Sequence, residues 1–122
     1  MKKMALYLLI GFYVFAGTNH FWHAKFYYPI IPSYLQQWRY QLNIMAGLSE
    51  ISLGLLMAFA TTRKLAAIGI ILMLVAFIPT HIYFIYIDSC IPKGICVPQW
   101  VGWVRLIVIH PILIAWAWWV RK

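Results

Sequence analysis

Apolar residues are gathered into long runs along the chain, each closed by charged or turn-forming residues. The first run goes from about Met4 to Phe21 and the second from about Leu42 to Ala60. The third goes from about Leu65 to Ile87 and the fourth from about Trp100 to Val120. Runs of ~18–23 residues, rising ~1.5 Å per residue, match a hydrocarbon layer ~30 Å thick. The pattern predicts an all-α integral membrane four-helix bundle, with residues 1–122 forming a single transmembrane domain. Pro79, in the last third of the third run, predicts a kink there.

The connecting segments differ in character. Residues 22–41 are rich in Trp22, Phe26, Tyr27, Tyr28, Tyr34, Trp38 and Tyr40, side chains that suit the headgroup zone of a bilayer. Pro29 and Pro32 interrupt regular helix within it. An outer interfacial aromatic cap is expected there. Residues 88–99 read as a short polar outer loop. Behind Lys2 and Lys3 the first run has the form of a signal peptide. The sequence keeps it from Met1 onward, and the expectation is a signal anchor that doubles as the first span.

Composition sharpens this reading. Hydrophobic residues make up 65% of the chain and charged residues 10%, against about half and about a quarter in soluble domains. So much apolar surface exceeds what a core of this size can hide, and lipid must solvate the excess.

The formal net charge of +8 first suggests a nucleic-acid partner. The placement of the cations argues against one. Lys2, Lys3, Arg63, Lys64, Arg121 and Lys122 fall at one set of span ends, and Lys25, Arg39 and Lys93 at the other. This bias follows the positive-inside rule and predicts cytoplasmic N- and C-termini in a multi-pass protein of the inner (plasma) membrane. The charge then serves orientation and anionic lipid headgroups, so membrane lipids are the first expected partners.

With Glu50 and Asp88 as the only acidic residues, paired-carboxylate hydrolysis has no support. Gly-rich phosphate loops, HExxH and GxSxG are lacking as well.

Glu50 carries the most information. It lies near the middle of the second run, where a lone carboxylate costs at least a few kcal/mol. Gly47 and Gly54 flank it at helical spacing, and small residues allow close helix approach. Glu50 is therefore expected to face the bundle interior, either as a structural carboxylate or as a proton carrier or ligand contact. Arg105, in the outer half of the fourth run, is the expected partner, because pairing relieves two desolvation costs at once. Snorkelling outward is the alternative for this arginine.

His20, beside Asn19, and His81 fall at the outer interface above Glu50. Asn19, His20, Glu50, His81 and Arg105 are thus the candidates for a ligand-binding or proton-carrying polar pocket under the aromatic lid. His23 is read as an interfacial histidine of the cap, and His110 lies near the middle of the fourth run, just before Pro111. Histidines on facing helices can ligate haem, but no metal-ligand spacing of a recognised kind is present, so neither haem nor a metal is expected.

Cys90 and Cys96 share the outer loop with Pro92 and Gly94 between them. On an oxidising side they would form a structural disulfide, the alternative being a catalytic dithiol.

Several short strings occur in order along nearly the whole chain. They are Asn19-His20-Phe21, Phe26-Tyr27, Pro32-Ser33-Tyr34-Leu35 and Gly47-Leu48-Ser49-Glu50 with Gly54, then Thr62-Arg63 with Ala66, Pro79 with His81, and Arg105-Leu106. In these the chain resembles the DoxX-like membrane proteins. The resemblance implies a four-helix membrane domain and a link to quinone-dependent sulfur and terminal-oxidase chemistry. The stretch after Leu106 and the cysteine loop depart from the pattern.

On this basis the expected function is an accessory subunit of a redox or quinone-linked membrane system, with quinone as the cofactor to consider. Its partners would be membrane or periplasmic redox proteins, or a second copy in a homo-oligomer. The rival expectation is a non-enzymatic membrane protein that binds a lipid or other hydrophobic small molecule, or that assists assembly of a partner. An autonomous enzyme comes third, since no nucleophile or cofactor motif accompanies the polar residues.

Overall fold

The computed structural model describes residues 1–91 and 94–122. Pro92 and Lys93, assigned above to the loop and to the outer charges, lie outside the described residues. The described residues form helices and turns: α1 (Lys2–Trp22), α2 (Ala24–Tyr27), α3 (Arg39–Leu56), α4 (Arg63–Ala76), α5 (Ile78–Tyr86), α6 (Gln99–Val104) and α7 (His110–Trp119). The sole extended pairing among them is an isolated antiparallel bridge between Cys90 and Cys96, whose sulfurs form a disulfide.

Three helical rods are long and apolar enough to cross a membrane: Lys2–Trp22 with 21 residues, Arg63–Tyr86 with 24 and Gln99–Trp119 with 21. They match the first, third and fourth runs closely. The second run departs from expectation. Its helix, α3, starts at Arg39, ends at Leu56 after 18 residues, and is not among the three. Arg39, Gln41, Asn43 and Glu50 dilute its hydropathy, and at ~1.5 Å per residue it spans ~27 Å.

Local chemistry explains the breaks. Proline has no N–H to donate, so Pro79 cannot extend the ladder of α4. The chain interrupts at Phe77 and restarts as α5 with Pro79 in its first turn. Pro111 does the same in the last rod. The five residues Arg105–Ile109 ahead of it widen into a π-helical turn, and the His110 N–H reaches back five residues to the Arg105 carbonyl.

The aromatic segment is helical rather than irregular. Two 3-10 turns, Tyr28–Ile30 and Ser33–Trp38, lead from α2 into α3. Gln36 pins them by donating from Nε2 to the carbonyls of Tyr28 and Ile31, each at 2.7 Å.

The most extensive packing is α1 on α3; further contacts join α3 to α4, α4 to α7 and α1 to α7. Two apolar cores result. The larger, near the chain termini, gathers Leu9, Met57, Ala67, Ile70, Ala117 and Val120 around the Tyr13 ring. The smaller joins Ile30, Phe84 and Ile91, with Tyr27 packed against it. Large apolar side chains, among them Phe15, Leu48, Leu72 and Ile107, remain on the outer surface.

Candidate functional site

The polar side chains of interest lie where α1 meets α3. On α1 the buried positions are Leu6, Leu9, Tyr13, Gly17 and His20. On α3 they are Asn43, Gly47, Glu50 and Gly54. Spacings of three and four put each set on one helical face. The glycines let the backbones touch: a Cβ on Gly17 would lie 2.7 Å from the Gly47 carbonyl oxygen, and one on Gly47 would lie 3.0 Å from that of Gly17. This approach carries His20 to Glu50.

His20 is the centre. Its Nδ1 lies 2.7 Å from Asn43 Oδ1, and Asn43 Nδ2 donates to the His20 carbonyl at 2.8 Å. Because Nδ2 must donate to that carbonyl, Oδ1 is the atom that faces the ring. An amide oxygen only accepts, so His20 Nδ1 carries a proton. The other ring nitrogen, Nε2, lies 3.4 Å from Glu50 Oε2. Two arrangements satisfy that contact: imidazolium against carboxylate, or neutral imidazole against protonated carboxyl. Both place one shared proton between the two groups.

Glu50 is 6% exposed, so the bare carboxylate without that proton would be costly. The contact has ion-pair length without hydrogen-bond alignment. Glu50 Oε2 and the Tyr13 hydroxyl are the buried polar atoms that find no hydrogen-bond partner among the described residues.

Tyr27 closes the cluster from the cap. Its ring stacks on His20 with centroids 3.9 Å apart, and its hydroxyl accepts from Asn19 Nδ2 at 2.6 Å. Asn19 Oδ1 in turn accepts from His23 Nδ1 at 2.6 Å. Burial pushes the Tyr27 phenol above the ordinary tyrosine value, and the charge of Glu50 adds to this. The hydrogen bond from Asn19 and the charge of Arg105 oppose it. Tyr27 thus lies within electrostatic reach of both Glu50 and the neighbouring Arg105.

The expected Glu50–Arg105 pair does not form; the ion pair among the described residues is His20–Glu50. The reason is steric and local. Asn43 and the glycine contact bring the imidazole to the carboxylate first. Arg105, half-buried at the start of the π-helical turn, lays its guanidinium over the Phe84 ring at 5.0 Å.

His81 lies elsewhere than beside His20. Its ring meets that of His110 edge to face with centroids 4.8 Å apart. His110, buried, donates from Nε2 to the Leu74 carbonyl at 2.5 Å, next to the break before Pro79. Of the sequence candidates, Asn19, His20 and Glu50 therefore gather with Tyr27, while His81 and Arg105 form a neighbouring group with His110 and Phe84.

Sequence reasoning missed Asn43, Tyr13 and the role of Tyr27. Asn43 carried a signal: it extends the Gly47–Glu50–Gly54 face by one turn. Tyr27 stacks on His20 and its hydroxyl accepts from Asn19, so these side chains pack directly on one another.

The model of a family described as a domain of unknown function (DUF8561) matches residues 9–121. The chain belongs to that family. The match runs from the middle of α1 to the end of the last rod, so the polar cluster lies wholly inside the DUF8561 domain. It also corrects the resemblance to DoxX-like proteins, which rested on strings of two to four residues and not on the domain as a whole. No curated protein and no solved structure matches the chain.

Proposed function

We propose that this DUF8561 chain is a multi-pass membrane protein whose working group is the His20–Glu50 pair, a buried acid–base couple that holds one exchangeable proton. Its function on this reading is non-enzymatic and proton-linked. The pair binds the polar head of a small lipid-soluble molecule and changes its protonation as the molecule enters or leaves. One observation carries the reading: among the described residues Glu50 Oε2 is buried without a hydrogen-bond partner, beside a histidine whose Nδ1 proton is committed to Asn43, and the Tyr13 hydroxyl on the same helix as that histidine is unsatisfied as well. Unsatisfied buried groups are costly. In a membrane interior, ionisable side chains mark ligand or proton sites by default.

The reading includes α3 as a fourth span, giving a four-helix membrane bundle. Support comes from the distribution of its polar side chains. Asn43 and Glu50 are buried against α1, whereas the exposed side includes Ile44, Met45, Leu48, Leu55 and Leu56. Averaging over all faces hides an outer face fit for lipid. The six cations at the shared end of the termini support a cytoplasmic location for both. The disulfide supports an oxidising compartment for the other end, as an inner-membrane protein would have.

The test uses the purified full chain. Infrared difference spectra across a pH titration should show a carboxyl band that vanishes in Glu50→Gln. Mass spectrometry of material extracted after gentle purification should find a small lipid-soluble molecule, and Glu50→Gln should lose it. A quinone in that extract would bring redox chemistry back; a non-redox lipid would favour simple binding. A carboxylate that never protonates, with nothing retained, would sink the proposal.

A further inference from the structure

At the end where the two termini meet, a cavity of about 280 Å³ opens between α1, the start of α4 and the residues after α7. Lys2, Lys3, Arg63 and Lys122 line it, above Leu6 and Val120. No side-chain carboxylate is at hand to neutralise them. Of the two in the chain, Glu50 is buried beside His20, and Asp88 lies beyond α5 at the capped end.

Arg63 is held in place. Its Nε donates to the Met57 carbonyl at 2.8 Å and one terminal nitrogen donates to that of Ala58 at 3.3 Å. A guanidinium has five N–H groups, so others remain for an anion. Cations crowded around a low-dielectric hollow focus a positive potential there.

Beside this cavity α1 and α7 leave an apolar groove of about 520 Å³, lined by Ala5, Leu8, Ile112, Trp116 and Trp119. The two spaces draw on the same two ends of chain: Ala5 of the groove precedes Leu6 of the cavity, and Trp119 precedes Val120. Trp116 donates from Nε1 to the Ala5 carbonyl at 3.0 Å, which ties the helices together at the junction.

The geometry points to a site for one anionic phospholipid, its phosphate among Lys2, Lys3, Arg63 and Lys122 and an acyl chain along the groove. A free phosphate would use the cations alone. A zwitterionic lipid would use the groove but bring its own positive charge to a cavity that already holds four. The site is independent of the His20–Glu50 pair and lies at the other end of α1.

The experiment takes the full chain, stripped of lipid in a non-ionic detergent. It is titrated with phosphatidylglycerol or phosphatidylcholine, both with brominated acyl chains, and indole quenching is followed while native mass spectrometry counts bound lipid. One phosphatidylglycerol per chain should be retained, bound about tenfold more tightly than phosphatidylcholine at low salt, with the preference fading near 1 M salt, where the screening length is ~3 Å.

Lys2→Gln with Lys3→Gln and Lys122→Gln should abolish the preference, leaving Arg63 and its carbonyl contacts intact. Replacing the same three lysines by arginine should preserve it, which separates charge from folding. Lys25→Gln with Arg39→Gln, at the opposite end, should leave it unchanged. Equal binding of the two lipids would overturn the inference. So would a broad lipid distribution with no discrete first adduct, or full displacement of the lipid by millimolar inorganic phosphate.

Discussion

Asn43 grips His20 twice, accepting a hydrogen bond from ring Nδ1 at 2.7 Å and donating one to the His20 carbonyl at 2.8 Å. The two residues are 23 positions apart, yet this contact fixes both the tautomer and the direction of the imidazole. Asn43→Ala should therefore cost about 1–3 kcal/mol, the range for leaving buried partners unmade. Thermal unfolding in detergent measures the loss. Nitrogen-15 spectra of the imidazole should show Nδ1 protonated in the parent chain and a mixed tautomer in the variant. An unchanged spectrum would mean that Asn43 does not set the tautomer.

The identity of Glu50's partner can be settled by double-mutant cycles. His20→Phe keeps an aromatic ring for Tyr27 to stack on and removes the basic nitrogen. Combined with Glu50→Gln it should show a coupling of about 1 kcal/mol or more. Arg105→Gln combined with Glu50→Gln should be additive within ~0.5 kcal/mol, as expected for side chains that share no contact. The reverse ranking would restore the pair expected from sequence.

Gly47 and Gly11 offer a matched comparison on exposed and buried faces. A Cβ on Gly47 would meet Phe21 Cε2 at 2.8 Å and the Gly17 carbonyl oxygen at 3.0 Å, whereas one on Gly11 would meet nothing within 4 Å. Gly47→Ala should destabilise by about 1–3 kcal/mol through overpacking. Gly11→Ala should be neutral or stabilise by up to ~1 kcal/mol, because alanine is the better helix former. Equal effects would show that α1 and α3 are not in close contact in the membrane.

The Cys90–Cys96 disulfide closes a loop with a sequence separation of 6. Chain-entropy estimates for so short a loop give about 2 kcal/mol. Cys90→Ser with Cys96→Ser should lower the melting temperature accordingly and leave lipid and proton binding intact. Thiol reagents should label both cysteines only after reduction. In intact cells a membrane-impermeant reagent should then reach them from outside; labelling from the cytoplasmic side alone would reverse the proposed orientation.

Tyr27 supplies the pH dependence. Its pKa in the folded chain is raised, first by burial, above the ~10 of the unfolded chain. As pH rises, the unfolded chain therefore gives up this proton first. The contribution of Tyr27 to stability is complete below about pH 10 and is lost as pH climbs through the higher folded value. Tyr27→Phe should lose stability below about pH 10, since Asn19 Nδ2 is left without its acceptor. It should also show a shallower decline above about pH 10 than the parent chain. Parallel declines in the two proteins would remove Tyr27 from the account.

The sequence by itself determined the helical class, three of the rods to within a few residues, the break ahead of Pro79 and the cysteine pairing. These are local matters. Run length, a missing N–H and a short closed loop act on the chain wherever it is placed. The place of α3 as a fourth span, which is proposed here, was only half legible, because hydropathy averages over a helix whose polar face turns to α1 and whose apolar face turns outward.

The partner of Glu50 was not legible at all. Periodicity shows which face of a helix is buried but not which helix it meets or at what rotation. Here the Gly17–Gly47 contact sets that rotation, bringing His20 to Glu50 and leaving Arg105 to Phe84. Cost arguments correctly demand that a buried carboxylate be compensated. Only the tertiary structure decides by which group, because the nearest polar side chain, not the most strongly charged one in the chain, reaches it first.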